Sequence, residues 1–454
     1  MAEEGTQGGG NALNMEPLMP PRRPGIRWPR VLGKVAAALA RPPETDVVGR
    51  NLWDLRTMLI WAGVISSAAS FNGNFAVRLG ASNQLIGLMS SLPALIVVIT
   101  TLPAARFIES RRHRLPWVAG SIFLHRLAYL FIALMPFFVR RYQAEVFVGL
   151  ILYSNLVLAT FNAGWDSVLA ETIPERRRAS IMAQRNMILS AAVIVAVPLM
   201  GRLLDAIVFP YGYQIVYGIG WLFSCAGTWQ IWKLRVPESP VRERSKERRP
   251  RVTLAQAREL LAANDNYVRM VLNTLLLDLG AWLVSPLYII YYLKHLGATD
   301  AWVGTITAVA NLSAIGGYYL WQKIIARLGE NKVLRWMAPA CGFFPLWVAA
   351  WQALPPIMVA AVINNLLMPG ISLSHYNLLI KVCPSERLPS YISIYSVIMN
   401  IGAFVMPLLG VALADRLGIL PVIVIGGLMR LFGALGFSLR PARAPDSLGL
   451  VPGK

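Results

Sequence analysis

Charge is scarce in this chain. Only 15% of its 454 residues are Asp, Glu, Lys or Arg, against roughly 25% in an average soluble domain. Hydrophobic residues make up 56%, and the mean hydropathy is +0.52. A single soluble core stops growing at about 250–300 residues, so this much apolar sequence has few places to go in water. Cysteine is sparse too: Cys225, Cys341 and Cys383 are not closely spaced, which excludes a disulfide framework and a thiolate metal cluster. The four histidines form no HxH or HxxxH pattern, so neither metal nor cofactor is expected. There is no HExxH, no GxSxG, no Walker A lysine loop and no pair of acids at catalytic spacing. A membrane-embedded enzyme and an ATP-driven pump both lack support. The first fifty residues hold no long apolar run, so no cleavable signal is expected. Their short apolar piece, Val31–Leu39, reads as either a surface-lying helix or a frayed tail.

What is abundant is apolar sequence in lengths that match a bilayer. A helix needs about 20 such residues to cross about 30 Å of hydrocarbon. Twelve stretches qualify, near 57–78, 83–104, 115–138, 145–170, 180–204, 212–233, 268–292, 301–324, 333–352, 356–380, 390–413 and 419–438. The net charge of +20 could suggest nucleic acid, but the basic residues lie in alternate gaps rather than along one stripe. Counting each with its nearer loop, thirty-five of the 43 Lys and Arg fall on the N-tail, the even-numbered loops and the C-tail. Six fall on the odd-numbered loops and two, Arg126 and Arg430, inside spans. That asymmetry predicts both termini in the cytoplasm of a plasma-membrane protein. The expected organisation is a tail over 1–50, six spans over 51–233, a basic linker over 234–266, six spans over 267–439 and a tail over 440–454.

The two sets of six repeat. Leu79-Gly80-Ala81-Ser82 before span 2 returns as Leu296-Gly297-Ala298-Thr299 before span 8, an offset of 217, and Gly87 meets Gly304 at the same offset. Asn155 meets Asn365, Pro174 meets Pro384 and Asp205 meets Asp415 at 210; Pro198 and Gly201 meet Pro407 and Gly410 at 209. A repeat in the same orientation places a two-fold axis along the membrane normal and a shared site where the halves meet.

On these residues the chain resembles the major facilitator superfamily over about residues 50–440. That family's loop between spans 2 and 3 carries a Gly-x-x-x-Asp-Arg-x-Gly-x-Arg-Arg motif. Here Ala105-Arg106-Phe107-Ile108-Glu109-Ser110-Arg111-Arg112-His113-Arg114 puts Glu109 at the acid. The second half has Arg327-Leu328-Gly329-Glu330-Asn331-Lys332, with Ala326 in the acidic position. The segment Pro174-Glu175-Arg176-Arg177-Arg178 is echoed by Pro384-Ser385-Glu386-Arg387. The resemblance implies an all-α membrane protein of twelve transmembrane helices in two pseudo-symmetric six-helix bundles. It implies a secondary transporter of a small solute by alternating access, with protons as the candidate driving ion, acting as a monomer in lipid. It also implies a cytoplasmic gate at Glu109, Arg111, Arg112, Arg327 and Lys332; simple topology determination is the competing reading of those charges. Val197-Pro198-Leu199-Met200-Gly201 keeps two residues of the family's antiporter core Gly-Pro-x-x-Gly but lacks the first, which weakens an antiport reading. A transporter-like sensor is the alternative.

The family arrangement lines the cavity with spans 1, 4, 7 and 10. Asn155, Asn162 and Asp166 on span 4 lie at i, i+7 and i+11, within about 40° of helix arc. Asn365, Ser372 and Tyr376 repeat that spacing on span 10, beside Asn364 and His375. The polar seams suit a water-filled cavity or glue between helices. Asp278 lies about nine residues inside span 7, roughly 13–14 Å deep. A lone carboxyl there suits proton coupling, and the competing reading is a fixed ion pair with Arg126 or Arg430. Asp166 and Asp278 match the two arginines in number, so pairing would neutralise all four.

Overall fold

In the computed structural model, residues 46–172, 175–236 and 254–439 are described. The amphipathic Val31–Leu39 piece, most of the basic linker, Pro174 and the C-tail lie outside them, as does the side chain of Asp166. The described chain is helical apart from its connections. The first half comprises α1 (Val47–Ala69), α2 (Asn72–Arg78), α3 (Asn83–Glu109), α4 (Leu115–Phe138), α5 (Gln143–Thr172), α6 (Glu175–Ala206) and α7 (Tyr211–Trp232). The second comprises α8 (Leu254–Ala263), α9 (Asp265–Ile290), a π-helical turn Tyr291–His295, α10 (Asp300–Leu328), α11 (Glu330–Met337), α12 (Ala340–Ala350), α13 (Leu354–Val382), α14 (Leu388–Leu417) and α15 (Ile419–Leu439).

Helices stand at all twelve expected positions, and among the described residues nine are long and apolar enough to cross a membrane. The three outside that set are α1, α7 and α10. Two expected spans are broken. The stretch 57–78 is α1 and α2, separated at Ser70–Phe71. There Ser67 and Ser70 donate back to the carbonyls of Gly63 (2.8 Å) and Ser66 (3.1 Å), a competition that bends helices. The stretch 333–352 divides between α11 and α12 at Pro339, which has no amide to continue the ladder.

The repeated Leu-Gly-Ala-Ser/Thr tetrapeptide has a structural meaning. Gly80 and Gly297 take φ of +80° and +64°, which L side chains rarely adopt. The hydroxyls of Ser82 and Thr299 then accept from Leu85 N and Trp302 N, each at 3.2 Å, and start α3 and α10 as N-caps. The same local chemistry opens the equivalent helix in each half.

The two halves meet chiefly along two seams, α3 against α14 and α6 against α10; α1 packs on α6 and α7 of its own half, and α9, packed on α14 and α15, also touches α2 and α3 of the first half. Small residues make the seams possible. A Cβ on Gly304 would lie 2.8 Å from Val197 O, and one on Gly87 3.1 Å from Val411 Cγ2. The core is shaped by these seams. At the end of the odd-numbered loops one apolar cluster runs through both halves, with Phe75, Phe147 and Tyr217 beside Leu287, Ile290 and Val411. Toward the even-numbered loops the core divides. One cluster holds only first-half residues such as Leu55, Ile108 and Val168. Another holds only second-half residues such as Met270, Leu378 and Phe437.

Candidate functional site

A polar node built from both halves fastens the end where the core is continuous. Asp300 begins α10, and its side chain is 2% exposed. Its carboxylate accepts from Asn74 Nδ2 at 2.6 Å and Tyr213 Oη at 2.7 Å, and it pairs with Arg78 Nε at 2.9 Å. Asp205, at the end of α6, accepts from the backbone amides of Asp300 (2.9 Å) and Ala301 (3.1 Å). It therefore caps a helix of the other half, where the orphan amides and helix dipole favour negative charge. On the other seam, Asp415 at the end of α14 accepts from Asn83 Nδ2 at 2.8 Å. Asp205 and Asp415 are repeat partners, so each half sends the same acid to the start of the other half's equivalent helix. Beneath the node, Phe75 stacks on Tyr213 at 4.6 Å and meets Phe147 edge-on at 4.9 Å.

The polar seams also obey the repeat. Asn155 Nδ2 donates to Ile151 O and Asn365 Nδ2 to Ala361 O, both at 2.9 Å and both on their own helix. Asn155, Asn364 and Asn365 are half-buried, and Asn162, Ser372 and Tyr376 are exposed. Asp166 lies on α5, with its side chain outside the described residues. His375 Nε2 lies 3.3 Å from Tyr395 Oη on α14. Two further amides of the same kind went unflagged in sequence: Asn311 donates to Thr307 O and Asn400 to Ser396 O, each at 2.8 Å.

The two arginines within the spans have different surroundings. Arg430, 7% exposed, lies within electrostatic range of Asp278, Cys341 and Tyr288. Arg126, 3% exposed, instead donates through Nη1 to Ser224 O and Thr228 Oγ1 of α7, both at 2.5 Å. His125 bonds the carbonyl of Ser154, and Gly164 packs on Val118.

At the end where the core divides, Glu109 closes α3 and is half-buried. Arg111 lies over the rings of Phe107 and Trp117, each at 4.5 Å. Arg112, Arg327 and Lys332 are exposed. The second half's acid is not at position 326. Glu330, four residues on, pairs with Lys381 Nζ at 2.7 Å and joins α11 to α13.

This arrangement matches known proteins. The Major Facilitator Superfamily model matches residues 57–266 and 270–454. No curated protein matches in sequence. Among solved structures, a POT family transporter in complex with a thioalcohol-conjugated peptide aligns with TM-score 0.67 and 11% identity, over 85% of this chain and 95% of that one. A bacterial homologue of the iron transporter ferroportin in the inward-facing state aligns with TM-score 0.64 and 14% identity, over 86% and 99%. A D-xylose–proton symporter aligns with TM-score 0.61 and 16% identity, over 87% and 96%. The chain belongs to the Major Facilitator Superfamily and is a multi-pass membrane protein with the fold of that family's transporters.

Proposed function

We propose that this protein carries a small solute across the plasma membrane by alternating access, and that the described conformation is the one open to the cytoplasm. One observation carries the reading: the apolar core is shared by both halves at the odd-loop end and splits into half-specific clusters at the basic, even-loop end. A bundle built to stay shut would bury one core throughout. Two halves that touch at one end only leave a gap between them at the other, and interfaces of this kind are bistable. The positive-inside bias supports a cytoplasmic side for the separated end and both termini. The inward-facing state named for the ferroportin homologue supports the same reading.

The lining is proposed to be Asn155, Asn162 and Asp166 from α5 and Asn364, Asn365, Ser372, His375 and Tyr376 from α13. Amides and hydroxyls of this kind hydrogen-bond a solute that carries polar groups. Peptide and xylose are named for relatives of the same fold, so the fold alone does not select the solute. Asp278 remains the proton-coupling candidate, and its neighbour Arg430 is the counter-charge it would exchange with. Glu109, Arg111, Arg112, Arg327 and Lys332 are the proposed gate residues of the separated end.

Purified protein screened against solute libraries for thermal stabilisation, followed by uptake of the hits into proteoliposomes, tests the proposal. A transporter gives saturable uptake, and a proton-coupled one accumulates solute only with an imposed pH gradient. Asp278→Asn then abolishes accumulation and leaves exchange intact. Ligand binding without any transmembrane flux would instead favour a sensor.

A further inference from the structure

The two seams are related by the repeat, yet they are not built alike. Along α6 and α10 the contact is backbone to backbone. A Cβ on Gly201 would stand 2.6 Å from Asp300 O, and one on Gly304 2.8 Å from Val197 O. The buried Asp300 carboxylate holds Arg78, Tyr213 and Asn74, and Asp205 holds two backbone amides across the same seam. Along α3 and α14 the contact is softer. A Cβ on Gly87 would meet the Val411 side chain first, at 3.1 Å, and the Pro407 carbonyl only at 3.6 Å, while Gly410, the repeat partner of Gly201, packs on Leu283 of its own half. Among the described residues Asn83 donates to Asp415 there at 2.8 Å and accepts from Lys294 Nζ of the π-helical turn at 3.4 Å, both exposed. Water replaces exposed hydrogen bonds readily, whereas the buried Asp300 carboxylate would lose Asn74 and Tyr213 where water does not reach; the exposed Asp205 adds two amide bonds, one of them part-buried.

From this difference we infer that the α6–α10 seam is the pivot of the transport cycle: it stays joined while the odd-loop end opens at the α3–α14 seam. The motion is then a lopsided hinge rather than symmetric rocking. Asp205 and Asp300 are its positioning residues, and Asn83 and Asp415 the contact that parts. The inference rests on the two-half reading above and goes beyond it by naming which side moves.

Spin-label distances on the full chain in nanodiscs test it, with Cys225, Cys341 and Cys383 replaced by alanine. One label pair spans the soft seam (Gln84→Cys with Arg416→Cys), and the other the pivot (Val208→Cys with His295→Cys). Each is measured with native seams, with Asn83→Ala plus Asp415→Ala, and with the milder Asp415→Asn alone. The pivot account predicts that breaking the Asn83–Asp415 contact adds a population longer by about one helical turn or more at the soft seam, with the pivot distance unchanged. Asp205→Asn with Asp300→Asn should in contrast lengthen the pivot pair. Equal lengthening at both seams after the soft-seam mutations would overturn the pivot and leave two-half motion standing. No lengthening at either seam in any variant would remove both.

Discussion

Replacing Asp300 by alanine removes the acceptor of Asn74, Tyr213 and Arg78 in a single step. Arg78 is 37% exposed and can be rehydrated, so the cost lies mainly with the buried Tyr213 and Asn74 donors, at about 1–3 kcal/mol for each group left without a partner. Asp300→Ala should therefore lower the thermal unfolding midpoint strongly. Asp300→Asn, which keeps an acceptor for Tyr213 and Asn74, should lower it less. Equal losses would show that hydrogen bonding contributes nothing at the node. Arg126 presents the opposite case. It is buried against a helix carbonyl and a threonine hydroxyl, and its Nε has no partner among the described residues. An apolar residue of similar volume often replaces such a group at little or no cost. Arg126→Met is expected to leave the midpoint within a few degrees. Arg430→Met should lower it, because Asp278 loses its nearby positive charge. The node was hard to read from sequence because its partners are 226, 87 and 95 residues from Asp300. Arg126 was hard to read because its acceptors are groups that no polarity pattern flags.

Among the elements, the seams are the sensitive parts. Gly304 faces the Val197 carbonyl and Pro198, and backbone cannot give way as a flexible side chain does. Gly304→Leu should therefore force α6 and α10 apart at the closed end. A cysteine at Ala298, which is 5% exposed, would then gain reactivity toward maleimide. Gly120, which has nothing within 4 Å, supplies the control: Gly120→Leu should leave Ala298→Cys unreactive. Here the sequence was informative. The tetrapeptides at 79–82 and 296–299, and the matches Gly87 with Gly304 and Pro198 with Pro407, mark the helix starts and seam contacts the structure contains. The breaks at Ser70–Phe71 and Pro339 were missed because hydropathy averages over a turn and does not register local hydrogen-bond competition. The acid at Glu330 was missed because the motif predicted position 326, while its partner Lys381 comes from another helix.

For the whole molecule, length and charge pattern made the membrane fold legible, and the internal repeat made its two halves legible. The conformation was not legible, because which end is closed depends on contacts between halves rather than on either half alone. The central claim is that a water-filled gap between the halves opens at the basic-loop end and is sealed by the Asp300 node at the other. Single cysteines at Asn155, Asn365 and Tyr376, on a background lacking the native three, can be probed with a membrane-impermeant thiol reagent in right-side-out and inside-out vesicles. All three should react from the basic-loop face and stay protected from the Asp300 face. Labelling from the Asp300 face alone, or from neither face, would contradict the account.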